Sequence, residues 1–371
     1  MRCLGLLIAL CWTFPALAGD FLYVSVAGEK RIAIYEIDSA DGRLRHVGDT
    51  PTAGEPGALI TDSKRRYLFA VLRSSGELAS FRIEPNTGKL THISTVPAGA
   101  DPAHISIDKQ GKFLLTAYYV AGQVTVHTIA EDGSISKQPR QTMKTQSKAH
   151  AVVFNTHEWA VLVPHTGPEI INAFYWHGKT GEISPASFFE SEFGTPKNTG
   201  PRHLVFHPEL KIRGGIDADA EVAYVANEQG SSVTMYRAIL NPINWLLQAQ
   251  QTLSTLPADF KRTNACAEIR LHPSNRFLYV SNRGHDSISA FRIDKENGGL
   301  TSLGQTPTEK TPRSFDVDPS GRFLFAAGES SGRLAAYRIN EDSGLLKRIA
   351  TYDVGKMPWW VMAVRLPGKG E

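Results

Sequence analysis

The chain has 371 residues, a formal net charge of +3 at pH 7 and 42% hydrophobic residues. Its 40 Lys and Arg residues are spread along the sequence without a basic block, so neither nucleic acid nor an anionic membrane surface is indicated as a partner. A chain of this length is long for one compact domain unless the architecture is repetitive.

The first 18 residues predict a signal peptide. Arg2 gives a positive start, Leu4 to Trp12 is an apolar core, and Ala16-Leu17-Ala18 has the pattern of a cleavage site. The apolar run is too short to span a bilayer as a stable helix, and an uncleaved anchor is the alternative. We therefore expect a mature domain of residues 19–371 with no membrane anchor, located in the periplasm or secreted.

Two of the three cysteines lie in this leader, so the mature chain would keep only Cys266. An internal disulfide is then impossible, and a domain of this size does not need one. Cys266 lies at the start of a predicted strand, where we expect a small buried residue rather than a nucleophile.

A short apolar run rich in β-forming residues recurs seven times along the chain. The seven runs start at Phe21, Tyr67, Phe113, Ala160, Val222, Phe277 and Phe323, which are 46, 46, 47, 62, 55 and 46 residues apart. Each run after the first is preceded by another strand signal, and each is followed by an outer pair that is mostly closed by an Asp/Asn/Thr-Gly turn, as at Asp41-Gly42 and Thr87-Gly88. Four strands at this period predict an all-β fold, a seven-bladed β-propeller.

The two ends of the chain complement each other. The mature chain starts at a second strand, Phe21 to Val24, and stops after a first strand, Trp359 to Val364. We expect the C-terminal strand to complete the N-terminal blade, because this closes the ring and removes two open edges. An open solenoid is the alternative, but it would need polar caps.

The two long intervals predict insertions. One is Lys211 to Glu221, which is polar and contains Gly214-Gly215, and we expect an exposed loop there. The other is Pro242 to Thr263, in which Asn244 to Leu253 is the only segment that could form a short helix.

In a propeller the entry of each inner strand meets the exit of the next strand at one channel mouth. These positions carry three His, three Arg and two Glu, far more polar side chains than a packed core needs. They are His104, His150, Arg202, His203, Glu228, Glu268, Arg283 and Arg313, with Asn282 beside them. Arginine suits a bound carboxylate or phosphate, and histidine suits proton transfer near neutral pH. Alternatively, the arginines are inter-blade struts paired with Glu228, Glu268 and Glu329, and the histidines are satisfied inner-strand side chains.

Other site classes lack their motifs. The sequence has no G-x-S-x-G, no H-E-x-x-H and no paired-Cys motif, and neither glycine-rich nucleotide signature occurs. We therefore expect no cofactor. The three histidines could in principle hold a metal, but the adjacent arginines disfavour a bound cation, so we expect no metal either.

Several motifs carry a family resemblance over nearly the whole mature chain. They are PAHISID from Pro102, AHAVVF from Ala149, GPRHLVFHP from Gly200, YVANEQGSSV from Tyr224, AEIRLHPSNRFLYVSNRGHDSI from Ala267 and TPRSFDVDPSGRFLFAAGE from Thr311. The sequence resembles the lactonase family of seven-bladed β-propellers, which includes propeller-type 6-phosphogluconolactonases and carboxy-cis,cis-muconate cyclases. Two positions depart from the family pattern: Arg270 stands where His is usual, and Glu329 where Gln or Asn is common.

The resemblance implies a hydrolase for a small anionic sugar lactone, and it transfers the family's proposed site to His150, Arg202, Glu228 and Arg283. We predict His150 as general base, with Glu228 or His203 orienting it. We predict substrate binding by Arg202, Arg283, Arg313, His104, Glu268 and Asn282. The alternatives are a muconate-type lactonising activity, which the same groups would serve, and a non-catalytic periplasmic binding module.

Overall fold

The protein is a ring of seven antiparallel sheets, as the repeat predicted. A computed structural model describes residues 19–185, 191–214, 218–241 and 245–368. Each sheet is one blade, and the inner strands of neighbouring blades contact one another around a central channel. The predicted signal peptide, residues 1–18, lies outside the described residues. We number the blades in chain order and give their strands from the channel outwards.

The first four blades are bounded as follows. Blade 1 consists of Pro358–Leu366, Gly19–Val26, Arg31–Ile37 and Leu44–Pro51, and blade 2 of Pro56–Thr61, Tyr67–Leu72, Glu77–Ile83 and Leu90–Pro97. Blade 3 consists of Pro102–Ile107, Phe113–Tyr118, Gln123–Thr128 and Gln141–Lys144. Blade 4 consists of Val153–Phe154, Ala160–His165, Ile170–His177 and Glu182–Pro185, and Glu192–Gly194 also pairs with its third strand.

The remaining three blades are regular. Blade 5 consists of Pro201–Gly214, Ala218–Asn227, Ser232–Leu240 and Trp245–Ser254, and blade 6 of Ala265–Leu271, Phe277–Arg283, Ser287–Ile293 and Leu300–Pro307. Blade 7 consists of Pro312–Val317, Phe323–Gly328, Arg333–Ile339 and Leu346–Asp353. Among the described residues, the single helical element is the 3₁₀ turn Ala27–Glu29. No helix in the described ranges is long and apolar enough to cross a membrane.

Ring closure is confirmed. The C-terminal strand Pro358–Leu366 pairs with Gly19–Val26 along its whole length, from Gly19 opposite Leu366 to Val26 opposite Pro358. Near one end of this pairing, Arg365 donates two hydrogen bonds to the carboxylate of Asp20, from Nε and from Nη2, each at 2.8 Å. The last strand of the chain therefore belongs to the first blade.

Turn chemistry fixes the inner hairpins. In blade 6, Asn275 adopts the predicted left-handed conformation, with φ 58°. In blades 2 and 3 an aspartate holds the same turn, because Oδ1 of Asp62 and of Asp108 accepts two backbone N–H groups each, at 2.7 to 2.9 Å. These short-range hydrogen bonds set where the second strand of each blade begins. This explains why the apolar runs in the sequence located the second strands reliably.

The Asp/Thr-Gly turns join each blade to its neighbour. Gly88 has φ +66°, and a Cβ at this position would lie 2.5 Å from the ring of Phe21 in blade 1. The hydroxyl of Tyr23 donates to the carbonyl of Gly88 at 2.8 Å, from the same side. Glycine is therefore required here both by the backbone conformation and by the close packing of the adjacent blade.

Two local predictions are wrong. Lys211 to Glu221 is not a loop but an extension of the first hairpin of blade 5, in which Lys211 pairs with Glu221 and Ile212 with Ala220; residues 215–217 lie outside the described residues. The short helix predicted from Asn244 to Leu253 is instead most of the strand Trp245–Ser254, and residues 242–244 are not described. Ladder pairing with Ser232–Leu240, together with burial of Trp245 and Leu247, overrides the weak local helix propensity.

Candidate active site

A pocket at one mouth of the channel collects side chains from six blades. It encloses about 300 Å³ of free space, part of it open to solvent. It is lined by Gly57, Ala58, Arg73, Ala103, His150, Arg202, His203, Arg313, Trp359 and Trp360. This is the mouth that the repeat geometry predicted.

A β-bulge at the entry of most inner strands aims side chains at this pocket. In blade 5, Pro201 pairs with Asn227 and His203 with Ala226, which leaves Arg202 as the extra residue. The same shift leaves Arg313 extra in blade 7 and Trp359 in blade 1. Because bulges re-aim side chains, the residue after the entry proline lines the pocket in each case.

One side of the mouth is an arginine pair bridged by a carboxylate. Oε2 of Glu228 lies 3.4 Å from Nε of Arg202, and Oε1 of Glu228 accepts a 2.9 Å hydrogen bond from Nη2 of Arg283. Arg202 is 3% exposed and also donates to the carbonyl of Ala267. Burial and the neighbouring guanidinium of Arg283 lower the pKa of Arg202 to about 9, so it stays charged at neutral pH.

Arg283 donates to Glu228 and to the carbonyl of Cys266 at 3.1 Å, and it is not among the residues that line the pocket. Burial tends to raise the pKa of Glu228, but Arg202 and Arg283 outweigh it and lower that pKa. No hydrogen bond joins Glu228 to His150 among the described residues, so Glu228 holds the arginines rather than the imidazole.

The other side of the mouth is an aromatic ring between two guanidinium groups. Arg73 and Arg313 lie over the ring of Trp359, at 5.6 and 5.3 Å from its centroid. Nε1 of Trp359 donates to Glu329 at 3.0 Å, and the second carboxylate oxygen of Glu329 lies 3.5 Å from Nη1 of Arg313. Arg73 pairs with Asp101 of blade 3.

His150 lies between these two sides. It is 7% exposed, and its Nδ1 is buried without a hydrogen-bond partner among the described residues. Its backbone N–H donates to the carbonyl of Pro164 at 3.0 Å, which ties the entry segment of blade 4 to the next strand. Burial, followed by the charge of Arg202, lowers the pKa of His150 well below its ordinary value, so this imidazole is neutral at pH 7.

His203 lies between His150, His104 and Glu268, and it contacts all three side chains. Nδ1 of His203 lies 3.0 Å from Oε1 of Glu268, a carboxylate with no solvent exposure. The ring of His203 is 5.0 Å from that of His150 and 5.4 Å from that of His104. Burial lowers the pKa of His104 to about 3 and that of His203 to about 4.

Asn282 is the one predicted site residue that the structure places inside a blade. Its side-chain nitrogen donates to the carbonyl of Thr255 and to the hydroxyls of Ser287 and Ser289, at 2.9 to 3.1 Å. It is completely buried, and its carbonyl oxygen accepts from the hydroxyl of Thr255. These bonds tie the outer part of blade 6 together, and the side chain is not among those lining the pocket.

Sequence reasoning left three residues of the site without a role. Arg73 and the tandem Trp359 and Trp360 lie at the same strand-entry and strand-exit positions as the predicted site residues, but no role in binding or catalysis was predicted for them. The signal was the alignment of entry segments: Pro358-Trp359 corresponds to Pro201-Arg202 and Pro312-Arg313. Within the described ranges, no group of three His, Cys, Asp or Glu side chains is arranged to hold a metal ion.

Comparison with known proteins agrees with this architecture. The model of the family described as lactonase, 7-bladed beta-propeller, matches residues 16–98 and 55–363. The chain belongs to this lactonase family. It is 31% identical over 345 residues to a 6-phosphogluconolactonase of Pectobacterium carotovorum, covering 93% of this chain and 85% of the relative.

Two further relatives extend the family comparison. A 6-phosphogluconolactonase of an Enterobacter species is 32% identical, covering 92% of this chain and 84% of the relative. The solved structure of a periplasmic gluconolactonase of Pseudomonas aeruginosa superposes with a TM-score of 0.83 at 25% identity, covering 94% of this chain and 99% of that one. The proteins to which this chain is similar thus include both 6-phosphogluconolactonases and one protein named for gluconolactone.

Proposed function

We propose that the protein is a hydrolase that opens a small anionic sugar lactone, like the 6-phosphogluconolactonases to which it is similar. The observation that carries this proposal is the pairing of His150 with Arg202 in one pocket. A neutral imidazole can accept a proton, and a permanently charged guanidinium can stabilise a developing negative charge. Ester hydrolysis needs both.

The reaction follows from these two groups. His150 accepts a proton from water as the water oxygen bonds to the lactone carbonyl carbon. The carbonyl carbon becomes tetrahedral, and the former carbonyl oxygen becomes an oxyanion next to Arg202. The intermediate then collapses by breaking the bond between the carbonyl carbon and the ring oxygen, and that oxygen takes the proton back from His150. The product is the open-chain hydroxy acid.

The charges at the mouth favour an anionic substrate. The guanidinium groups of Arg73, Arg202, Arg283 and Arg313 face three carboxylates, those of Asp101, Glu228 and Glu329. Three of these guanidinium groups, those of Arg73, Arg202 and Arg313, line the pocket, and none of the three carboxylates does. The cationic lining attracts a phosphate or carboxylate to the pocket, and Arg202 also stabilises the oxyanion.

We also propose that the chain acts outside the cytoplasm. The charged start, apolar core and Ala16-Leu17-Ala18 pattern of the first residues support this, and one structural relative is described as periplasmic. N-terminal sequencing of exported protein should begin at Gly19. Recovery of a chain that still begins at Met1 would argue against cleavage.

The decisive experiment is a lactone panel. Purified residues 19–371 would be mixed with 6-phosphogluconolactone, gluconolactone and a carboxylated muconolactone, and acid release would be followed at constant pH above the spontaneous rate. We expect hydrolysis of at least one sugar lactone. The His150→Ala variant should lower turnover about 10²–10⁴-fold, because it removes the proton acceptor.

The matched control is His157→Ala, an exposed histidine stacked on Trp159 at the far end of the same inner segment. It should keep wild-type turnover. Conversion of the muconolactone alone would favour the lactonising alternative, because closing and opening the ring share one proton path. A folded protein that binds these compounds without turning any of them over would support the binding-module alternative.

A further inference from the structure

A buried carboxylate and two imidazoles form a line from the channel interior to the pocket. Glu268 has no solvent exposure, and its Oε1 is surrounded by three donors: Nδ1 of His203 at 3.0 Å, Nη1 of Arg270 at 3.0 Å and the backbone N–H of Ile269 at 3.1 Å. His203 is followed by His150, whose ring centroid is 5.0 Å away in an edge-on arrangement. His150 lines the pocket.

The tautomer of His203 follows from its partner. Burial raises the pKa of Glu268, but the charges of Arg270 and His203 outweigh burial and lower it to about 2. An ionised carboxylate can only accept hydrogen bonds, so Nδ1 of the neutral His203 carries the proton. Its Nε2 then carries a lone pair, and this atom is buried without a hydrogen-bond partner among the described residues.

A second unpartnered nitrogen lies on the adjacent ring. Within the described part of the chain, Nδ1 of His150 is buried without a hydrogen-bond partner, like Nε2 of His203. Burying polar atoms without hydrogen-bond partners destabilises the folded state, and one hydrogen bond between these two adjacent rings would satisfy both nitrogens. If Nδ1 of His150 donates to His203, then Nε2 of His150 keeps its lone pair for the pocket.

The structure shows no hydrogen bond between Nδ1 of His150 and Nε2 of His203. We infer that these two nitrogens, on adjacent rings, close a hydrogen bond in solution, so that Glu268, His203 and His150 form a relay that presents the Nε2 lone pair of His150 to the substrate pocket. Glu268 is a positioning residue, because it acts on His150 through His203. This inference rests on the proposed function for its catalytic consequence, but the relay itself is a property of the free protein. It resembles the general arrangement in which a base is oriented by a third group.

Charged groups from every adjacent blade act on the two imidazoles. They are His104 from blade 3, Arg202 from blade 5, Glu268 and Arg270 from blade 6, Arg313 from blade 7 and Arg73 from blade 2. Nε of Arg270 also donates to Asp316 at 3.1 Å, and its guanidinium lies 5.4 Å from the ring centroid of Trp360. Glu268 favours a protonated His203, whereas Arg202 and Arg270 disfavour it.

The kinetic test uses these opposite signs. In Glu268→Gln, the loss of the carboxylate should move the acid limb of the pH profile of kcat to lower pH. It should also reduce kcat by about 10-fold or more, because the imidazole of His150 becomes a weaker base. In Arg270→Gln the loss of the cation should move the same limb to higher pH. A purely structural role would lower activity in both variants without moving the limb in opposite directions, and that outcome overturns the inference.

The spectroscopic test does not depend on turnover. Nitrogen-15 spectra of histidine-labelled protein at pH 7 should show His150 and His203 both protonated at Nδ1, with assignments from His150→Gln and His203→Gln. Finding His150 protonated at Nε2 would overturn the relay even if every lactone were hydrolysed. The relay would also be wrong if the Nε2 resonance of His203 responded to His104→Gln but not to His150→Gln.

A conservative variant separates folding from positioning. His203→Gln keeps one donor for Glu268 and one acceptor for His150, so it should retain more of kcat than His203→Leu when both variants melt at similar temperatures. Equal losses in the two variants would contradict the relay. If no lactone is turned over, the proposed function fails, and the spectra still decide whether the relay exists.

Discussion

At the level of single residues, the site is defined by neutral imidazoles and charged guanidinium groups in one buried cluster. The three channel histidines have lowered pKa values because burial penalises their charged form. Arg202 stays charged at neutral pH, since it keeps a pKa of about 9. This separation lets proton acceptors and anion-binding groups coexist within one small pocket.

The buried histidines predict acid sensitivity of the fold. Because the pKa of His203 is about 4 when folded and about 6.5 when unfolded, the unfolded chain binds more protons below pH 6.5. Above pH 6.5, His203 should therefore not reduce the free energy of unfolding. From pH 6.5 towards pH 4, its protonation in the unfolded chain should lower that free energy by up to about 1.4 kcal/mol per pH unit. Urea unfolding at pH 7, 6 and 5 measures this slope.

His203→Gln should flatten that pH dependence, because glutamine does not titrate. His104 should contribute similarly, since its folded pKa is lower still, at about 3. Identical slopes for wild type and His203→Gln over this range would show that the imidazole is not held neutral in the folded state.

Arg202→Ala should impair substrate capture. A bound anion or oxyanion loses a charged partner, which costs roughly 1.5–3 kcal/mol in kcat/KM, or about 10- to 150-fold. Arg283→Ala should give a smaller loss, because Arg283 acts by holding Glu228 rather than by lining the pocket. Arg43→Ala is the control, since that side chain is exposed and paired only with Asp41. A loss for Arg43→Ala equal to that for Arg202→Ala would make the effect nonspecific.

At the level of elements, the bulge in the inner strands brings side chains from several blades into one pocket. In a regular strand, the side chain of the residue after the entry proline would point to one face of its blade. Here that residue is the extra residue of a bulge, and its side chain points to the channel mouth instead. Arg202, Arg313 and Trp359 share this position. Their different side chains give the pocket its charged and aromatic sides on a common backbone.

The blade-joining turns predict a specific stability defect. Gly88→Ala would place a Cβ against the Phe21 ring in addition to the unfavourable φ, so we expect a loss of about 2–4 kcal/mol of unfolding free energy. Gly111→Ala has nearly the same φ, +70°, but its Cβ would meet only Asp62 at 3.7 Å. The control should lose only about 1–2 kcal/mol. Denaturant unfolding compares them, and equal losses would show that blade packing at Gly88 is unimportant.

At the level of the whole molecule, closure of the ring makes the blades interdependent. The strand Pro358–Leu366 pairs with blade 1, and it also contacts the inner strands of blades 2 and 7. It carries Trp359 and Trp360 into the pocket as well. Stability and site assembly therefore depend on the same segment.

Deleting residues 358–371 should destabilise the entire domain rather than one blade, because it opens a sheet edge and exposes the apolar faces beside it. We expect one cooperative thermal transition at a clearly lower temperature, together with loss of activity. A truncated chain that melts at the wild-type temperature would contradict closure as the source of stability.

The sequence by itself determined the blade number, the ring closure and the channel mouth at which most of the predicted polar side chains meet. These follow from local rules: apolar runs mark buried strands, and turn residues such as Asn275 mark hairpins. The strand at Trp245–Ser254 and the hairpin extension at Lys211 were missed, because pairing with a neighbouring strand overrode weak local signals.

Only the tertiary structure decided which polar side chains meet. Arg283 and Glu228 are 55 positions apart in sequence, and their 2.9 Å contact exists because blades 5 and 6 are adjacent. Asn282 and Arg283 are consecutive, yet one binds inside its blade and the other pairs across the mouth, because successive strand residues point to opposite sides. The inward turn of Trp359 depends on a register shift, which no single strand encodes because register belongs to a pair of strands.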